Sequence, residues 1–348
     1  MQWITGSLIF DQFHLDGNAM KVLITGAFGN IGGHTMRELL AAGHSVRAFD
    51  LDNATNRKTA TAWGEQIDTV WGDITDPTSI ARAAEDVDAI IHLAAVIPPM
   101  TDQQPELAER INVGGTRHVI DAALASAKKP HIVFASSIAT YGRRFDEAPP
   151  RRADEELRPE DNYGRHKVEC ERMIRESGLT YTILRLAAVP PVSLDTFDPI
   201  AFDIHPETRI EFVHPADVGI ALANTIGNER ARNKVFLIGG GEVNQFRYGD
   251  WINAMFTATG IGPLPTEAFG PRPFYTDWMD TAEAQDVLQF QHRTWEDYQN
   301  DIRALLGWRI VFVRLLRPFI RRALLKKSPY WQQFRKGGAL APVSADQG

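Results

Sequence analysis

Cysteine is almost absent: Cys170 stands alone in 348 residues. A single thiol excludes an internal disulfide and a cysteine metal cluster, and it fits a reducing, cytoplasmic setting. No apolar run reaches the roughly 20 residues that a membrane span needs. There is no internal repeat and no low-complexity tract. Residues 1–19 lack a basic leader and carry Asp11, His14 and Asp16 where a signal peptide is apolar. They read as a loose extension or an upstream start, with Met20 directly before the first strong strand. Positive charge is also scarce: 37 Lys and Arg face 44 Asp and Glu, a net charge of −7. From Gly307 onward nine Lys and Arg meet one acid, Asp346, so this segment carries +8 and the remainder −15. An acidic body with a basic tail argues against general nucleic-acid binding by the main domain.

What is present is an ordinary globular composition, 44% hydrophobic and 23% charged. Apolar, β-rich runs alternate with helical patterns through the first half. Strands are expected at 21–25, 45–50, 69–71, 88–93, 131–136 and 181–185, and helices at about 31–42, 105–127 and 161–177. Continuous apolar strands separated by helices mean a parallel sheet covered on both faces. The expected fold is therefore α/β, a doubly wound, Rossmann-type sheet with a smaller, irregular C-terminal substrate-binding part. The expected division is 1–19 extension, 20–186 dinucleotide-binding domain, 187–306 mainly substrate-binding part and 307–348 basic helical tail. Pro190, Pro191, Pro199 and Pro206 mark a loop-rich stretch. Helical segments are expected at 216–226, 247–258, 281–289 and 295–306. Lys234–Ile238 is expected to lend the sheet one more strand.

Between the first strand and the first helix stands Thr25-Gly26-Ala27-Phe28-Gly29-Asn30-Ile31-Gly32-Gly33. In that context Gly26 lets the chain turn, Gly29 lets backbone approach a pyrophosphate, and Gly32 allows close helix–strand packing. The helix N-terminus, with Asn30 and Ile31 leading into it, offers N–H groups to phosphates. Asp50 ends the second strand, 24 residues after Gly26. A carboxylate there suits the ribose hydroxyls of NAD and repels the extra phosphate of NADP, although Arg47, Arg57 and Lys58 nearby could relieve the repulsion. Asp73 and Ile74 follow the third strand where an adenine would lie; Asp73 also reads as a turn or cap residue. No metal site is expected.

Tyr163 and Lys167 are four apart on a helix and share a face. They follow Ser137, at the end of the fifth strand, by 26 residues and more. A free phenol has a pKa of about 10, and a neighbouring ammonium is expected to lower it. Ser137 would hold a substrate oxygen, Tyr163 would exchange the alcohol proton, and Lys167 would tie the base to the ribose of a nicotinamide cofactor.

The whole pattern resembles the extended short-chain dehydrogenase/reductase family, the NAD-dependent epimerase/dehydratases, over about residues 20–305. The matching stretches are the glycine loop at 25–32, Gly72-Asp73, His92-Leu93-Ala94-Ala95, Asn112-Val113-Gly114-Gly115-Thr116, Ser136-Ser137 with Tyr141-Gly142, Tyr163-x-x-x-Lys167, and Phe212-Val213-His214 through Asp217-Val218. The resemblance implies an enzyme, an NAD-dependent oxidoreductase or epimerase acting by hydride transfer at a secondary alcohol or ketone of a sugar or nucleotide-sugar. It implies that Leu93 and Ala94 line the cofactor and that Asn112 supports the active site. It also implies a homodimer built on helices 105–127 and 161–177.

The chain departs from the family in places. Ile138-Ala139-Thr140 follows the candidate hydroxyl where dehydratases carry an acidic pair, which disfavours elimination of water. Epimerases of the family place an Asn after the sixth strand and an Arg-Asp before Phe-x-His; here stand Leu186-Ala187-Ala188-Val189 and Ile210-Glu211, with Arg209 one position early. A less charged, non-nucleotide hydroxy or keto substrate is therefore the alternative, and apolar Ala94–Met100 suits it. A non-catalytic NAD-binding regulator is a third reading, opposed by the retained Tyr163 and Lys167. In the basic tail, Phe312, Leu315, Leu316, Phe319, Ile320 and Ala323 form an apolar stripe, with Arg314, Arg317 and Arg321 on another face and Pro318 breaking or starting the helix. Such a segment either packs on its own domain or a partner subunit, or makes peripheral contact with an anionic membrane.

Overall fold

Lys21-Val22-Leu23-Ile24-Thr25 buries every residue after the first, and Ala89-Ile90-Ile91-His92 buries all four. Strands apolar on both sides need cover on both faces, and the computed structural model supplies it. It describes residues 19–194 and 199–337. The first half runs β1 (Lys21–Thr25), α1 (Gly32–Ala41), β2 (Ser45–Asp50), α2 (Ala54–Trp63), β3 (Asp68–Trp71), α3 (Pro77–Ala83), β4 (Ala89–His92), α4 (Met100–Gln103), α5 (Pro105–Glu109), α6 (Gly115–Ala125), β5 (His131–Ser137), α7 (Asn162–Glu176) and β6 (Tyr181–Leu186). The second half runs β7 (Arg209–Glu211), α8 (Pro215–Ala223), β8 (Lys234–Ile238), β9 (Gln245–Arg247), α9 (Tyr248–Ala258), α10 (Ala282–Leu288), α11 (Trp295–Leu306), α12 (Arg309–Leu315), α13 (Arg317–Lys327) and α14 (Pro329–Arg335). The 1–18 extension lies outside the described residues.

Seven strands form one sheet in the order β3-β2-β1-β4-β5-β6-β8, all parallel. Alternate side chains feed two cores. Val22, Ile24, Ile91, Val133 and Leu184 join one, and Leu23, Ile90, Ile132, Phe134 and Ile183 the other. The order reverses beside β1, and the crevice at the C-terminal ends of β1 and β4 is where such sheets bind ligands. On the first core's side α1 meets α8, and Gly219 lets them approach: a Cβ there would sit 2.8 Å from the His34 backbone. The small antiparallel pair β7–β9 belongs to the C-terminal part.

The expected helix over 105–127 is interrupted. Arg110–Gly114 forms a π-helical segment between α5 and α6. One extra residue per turn places Asn112 inside, 2% exposed, and π segments of this kind concentrate at functional sites.

Three histidines are held neutral by burial. His92 is pushed down to about 3, His34 and His131 to about 4. Glu211, also buried, is pushed up to about 7. A histidine with a depressed native pKa loses stability as pH falls below its unfolded value of about 6.5. A glutamate with a raised one regains stability over the same fall, down to about 4.5. Burial also lowers His44, His166, His205 and His214 and raises Glu38 and Asp161. Histidines that take up a proton on unfolding outnumber acids that release one, so stability is expected to fall as pH drops from about 6.5 to about 4.5. Urea denaturation at a series of pH values measures this, and a flat profile refutes it.

Candidate active site

The glycine turn is fixed by sterics. Gly26 has φ +70°, and a Cβ there would lie 2.9 Å from the Ala94 amide nitrogen. Its own N–H donates to Phe49 O at 2.9 Å. A Cβ at Gly32 would collide with Ala27 O, and one at Gly29 would stand 3.3 Å from Gly26 O. Helix α1 opens at Gly32 after Ile31, with no side-chain cap and no acidic residue in its first turn. That leaves an electropositive N-terminus facing the turn.

Asp50 also holds the turn in place. Its Oδ2 accepts from Phe28 N–H at 2.9 Å, and its Oδ1 from Asn56 Nδ2 at 3.1 Å. Two of the three cations expected to soften its charge, Arg47 and Arg57, are engaged elsewhere. Arg47 bonds Asp68 and the carbonyls of Ala83 and Glu85. Arg57 pairs with Asp52 and lies over Trp71. Asp73 is an exposed turn residue, its Oδ1 accepting from both the amide and the hydroxyl of Thr75 at 2.8 Å; Asp76, not Asp73, caps α3. Ile74 is buried against Gly115. Asn30 turns its amide to Val189 O at 3.1 Å, joining the glycine turn to the segment after β6. Leu93 and Ala94 hydrogen-bond Thr25, through its carbonyl and its hydroxyl.

Ser137, at the end of β5, accepts from Ala139 N–H at 3.2 Å and is in hydrogen-bonding reach of the Tyr163 phenol. Lys167 is 4% exposed. Its ammonium donates to Ala135 O at 2.6 Å and lies 5.6 Å from the Tyr163 ring centre. The three side chains thus converge where β5 meets α7. One expectation is corrected here: burial pushes the Tyr163 phenol up, to about 12, rather than letting the ammonium lower it. Desolvation outweighs an ammonium that is itself pulled down to about 8 by burial and turned toward a carbonyl.

Asn112 is a clamp. Its Oδ1 accepts from Val96 N–H at 2.8 Å and its Nδ2 donates to Val96 O at 2.9 Å. Asn162 adds a second clip on the same loop, donating to Thr101 O at 3.2 Å. Together they tie the apolar stretch 94–99 and helix α4 to the π segment and the start of α7.

Two buried networks escaped the sequence reading. The first runs from the glycine turn to the π segment. Thr116 Oγ1 donates to Asn112 O at 2.6 Å, so it accepts from His92 Nε2 at 3.0 Å. His92 Nδ1 is then the acceptor for the Thr25 hydroxyl at 2.7 Å. The second lies beneath the candidate hydroxyls. Glu171, one turn beyond Lys167, takes both Nε and Nη2 of Arg185 at 2.9 and 2.7 Å and the Ser136 hydroxyl at 2.6 Å. Arg185 also reaches the Tyr141 hydroxyl at 2.6 Å. The only legible hint was the spacing Tyr163, Lys167, Glu171 along one helix face.

Residues 22–190 match the NAD dependent epimerase/dehydratase family. A UDP-glucose 4-epimerase of Lactobacillus helveticus is 32% identical over 198 residues, 55% of this chain and 58% of that one. The 3 beta-hydroxysteroid dehydrogenase type 7 of Rattus norvegicus is 28% identical over 161 residues, 45% of this chain and 47% of that one. The chain thus spans about half the length of these two curated relatives. Among solved structures, a short-chain dehydrogenase/reductase superfamily protein from Agrobacterium tumefaciens with bound NAD superposes with a TM-score of 0.67 at 21% identity, over 86% of this chain and 100% of that one. That likeness extends the shared fold well past β6. Sheet order, glycine turn and Tyr163–Lys167 helix agree with that match of residues 22–190 to the NAD dependent epimerase/dehydratase family.

Proposed function

We propose that the protein is an NAD-dependent oxidoreductase or epimerase acting by hydride transfer at a secondary alcohol or ketone, of a sugar or nucleotide-sugar. The convergence of Ser137, Tyr163 and Lys167 beside a glycine turn without room for a Cβ carries this reading. The turn fits a dinucleotide: Gly26, Gly29, Gly32 and the N-terminus of α1 would hold the pyrophosphate, Asp50 the adenosine ribose and Lys167 the nicotinamide ribose. Bound there, the nicotinamide supplies the hydride acceptor or donor. Ser137 holds the substrate oxygen and Tyr163 exchanges its proton, while Asn112 keeps the loop over the site in register. The engagement of Arg47 and Arg57 supports NAD over NADP. One relative is named for a sugar nucleotide, the class of this reading, and another for a hydroxysteroid, a non-nucleotide hydroxy compound of the class weighed next.

A second reading, a non-nucleotide hydroxy or keto substrate, rests on the arginines. Arg209 gives Nε and Nη2 to Asp277, Nη2 also to the carbonyls of Arg144 and Glu147, and Nη1 to that of Phe145. Arg185 is buried on Glu171, and Arg143 pairs with Glu160. All three guanidiniums are already neutralised, which leaves a diphosphate poorly served.

The test is incubation of the purified protein with NAD or NADP and a panel of UDP-sugars, free sugars and hydroxy-ketones. Net NADH marks a dehydrogenase; inversion of a sugar without net NADH marks an epimerase. Neither outcome with any substrate defeats the reading. A homodimer through α5–α6 and α7, a cytoplasmic location and peripheral membrane contact through the basic C-terminal helices complete the proposal.

A further inference from the structure

The C-terminal helices carry apolar side chains on two sides, and only one side serves the fold. Ile310 and Val313 pack against the cluster of Phe212, Trp295 and Tyr298. Leu324, Leu325 and Trp331 pack against that of Phe202, Tyr248 and Phe269. Ser328 Oγ donates to Ala268 O at 2.6 Å and fixes the start of α14. Pro318 lies in the first turn of α13, so it starts that helix.

The other side is bare. Trp308, Val311, Phe312, Leu315, Leu316 and Phe319 are between 51% and 73% exposed. Trp308, Val311, Phe312 and Leu315 follow the spacing of one face of α12, and Leu316 and Phe319 carry the exposed apolar run across the junction into α13. Six large apolar residues side by side mark an interaction surface. The sequence left open whether the stripe packs on its own domain; its core members point away from it. The arginines expected on another face of the segment lie along the body. Arg321 donates to Pro263 O, the Arg317 guanidinium lies over Gly262, and the Arg314 stem over Gly260. Arg309, Arg322, Lys326, Lys327, Arg335 and Lys336 are exposed, and none forms an ion pair with a described residue.

Charge selects the occupant. The segment from Gly307 carries +8 and the rest of the chain −15. A symmetric pairing of this face with a second copy would bring two +8 segments together. An anionic bilayer takes both features: apolar side chains enter the boundary between headgroups and acyl chains, cations meet lipid phosphates, and the acidic body is turned away. No described helix is long and apolar enough to cross a membrane, so the contact is with one leaflet.

We propose that α12 and α13 dock this protein on an anionic phospholipid surface through the face from Trp308 to Phe319. This specifies the membrane contact named above and is independent of the redox chemistry. The test uses the full chain and vesicles of phosphatidylcholine alone or mixed with phosphatidylglycerol. Co-sedimentation is expected with the mixed vesicles only, and high salt should weaken it. Leu315→Glu/Phe319→Glu, at exposed positions, should keep the wild-type melting profile and lose at least about tenfold in partitioning. Three results overturn the proposal: no binding to the mixed vesicles, binding undiminished in the variant, or an oligomer that ignores vesicles and falls apart in the variant.

Discussion

Tyr163→Phe is expected to lower turnover by about a hundredfold or more while leaving dinucleotide affinity within about threefold. The substitution removes one hydroxyl and keeps the ring, so the packing near Phe134 and Lys167 survives. What is lost is the group that exchanges a proton with the substrate oxygen. At about 12 the phenol is protonated through neutral pH and ready to donate to a ketone. Taking a proton from an alcohol requires the Lys167 ammonium, 5.6 Å from the ring, to stabilise the phenolate. Steady-state rates on any substrate found in the panel, with cofactor titration alongside, make the measurement. Full activity in the variant would contradict the assignment of Tyr163, and loss of cofactor binding would mean that the substitution acts through the fold.

Glu171→Ala is expected to destabilise the protein by about 3–5 kcal/mol. Glu171 and Arg185 are 2% and 1% exposed. Removing the carboxylate leaves a buried guanidinium with the Tyr141 hydroxyl and the Ala153 carbonyl as its remaining partners. It also strands the Ser136 hydroxyl next to Ser137. Replacing both members, Glu171→Met with Arg185→Met, should recover much of the loss, because no unpaired charge is left inside. Chemical denaturation of the single and double variants decides it. A single variant within 1 kcal/mol (about a fivefold change in the folding equilibrium) of the parent, or a double variant no better than the single, would show that the pair carries little.

These expectations differ in how far the sequence led to them. The glycine turn, Tyr163 and Lys167 were legible because each is a local pattern: a turn between strand and helix, and two side chains one helical turn apart. The strands were legible because both faces are covered, which leaves runs such as Ala89–Ile91 wholly apolar. Helix α2 went unread because none of its residues is buried, so Ala54–Trp63 has no apolar period. Strands β7 and β9 have three residues each, too short to show alternation. The break in the expected 105–127 helix depends on Asn112 finding both Val96 backbone groups across the loop, which no spacing within the helix reveals.

By itself, then, the sequence determined the doubly wound sheet, the family resemblance and the candidate residues, since these rest on periodicity and on steric demands within a few residues. The tertiary structure decided what those residues face. It placed Asp50 on the Phe28 amide, Asn30 on Val189 and the arginines on their own carboxylates and carbonyls. It raised the Tyr163 phenol where a nearby lysine had promised the reverse, and it turned the Phe312–Phe319 stripe outward. Hydrogen-bond partners, desolvation and exposure are set by groups distant in the chain, and only folding brings them together.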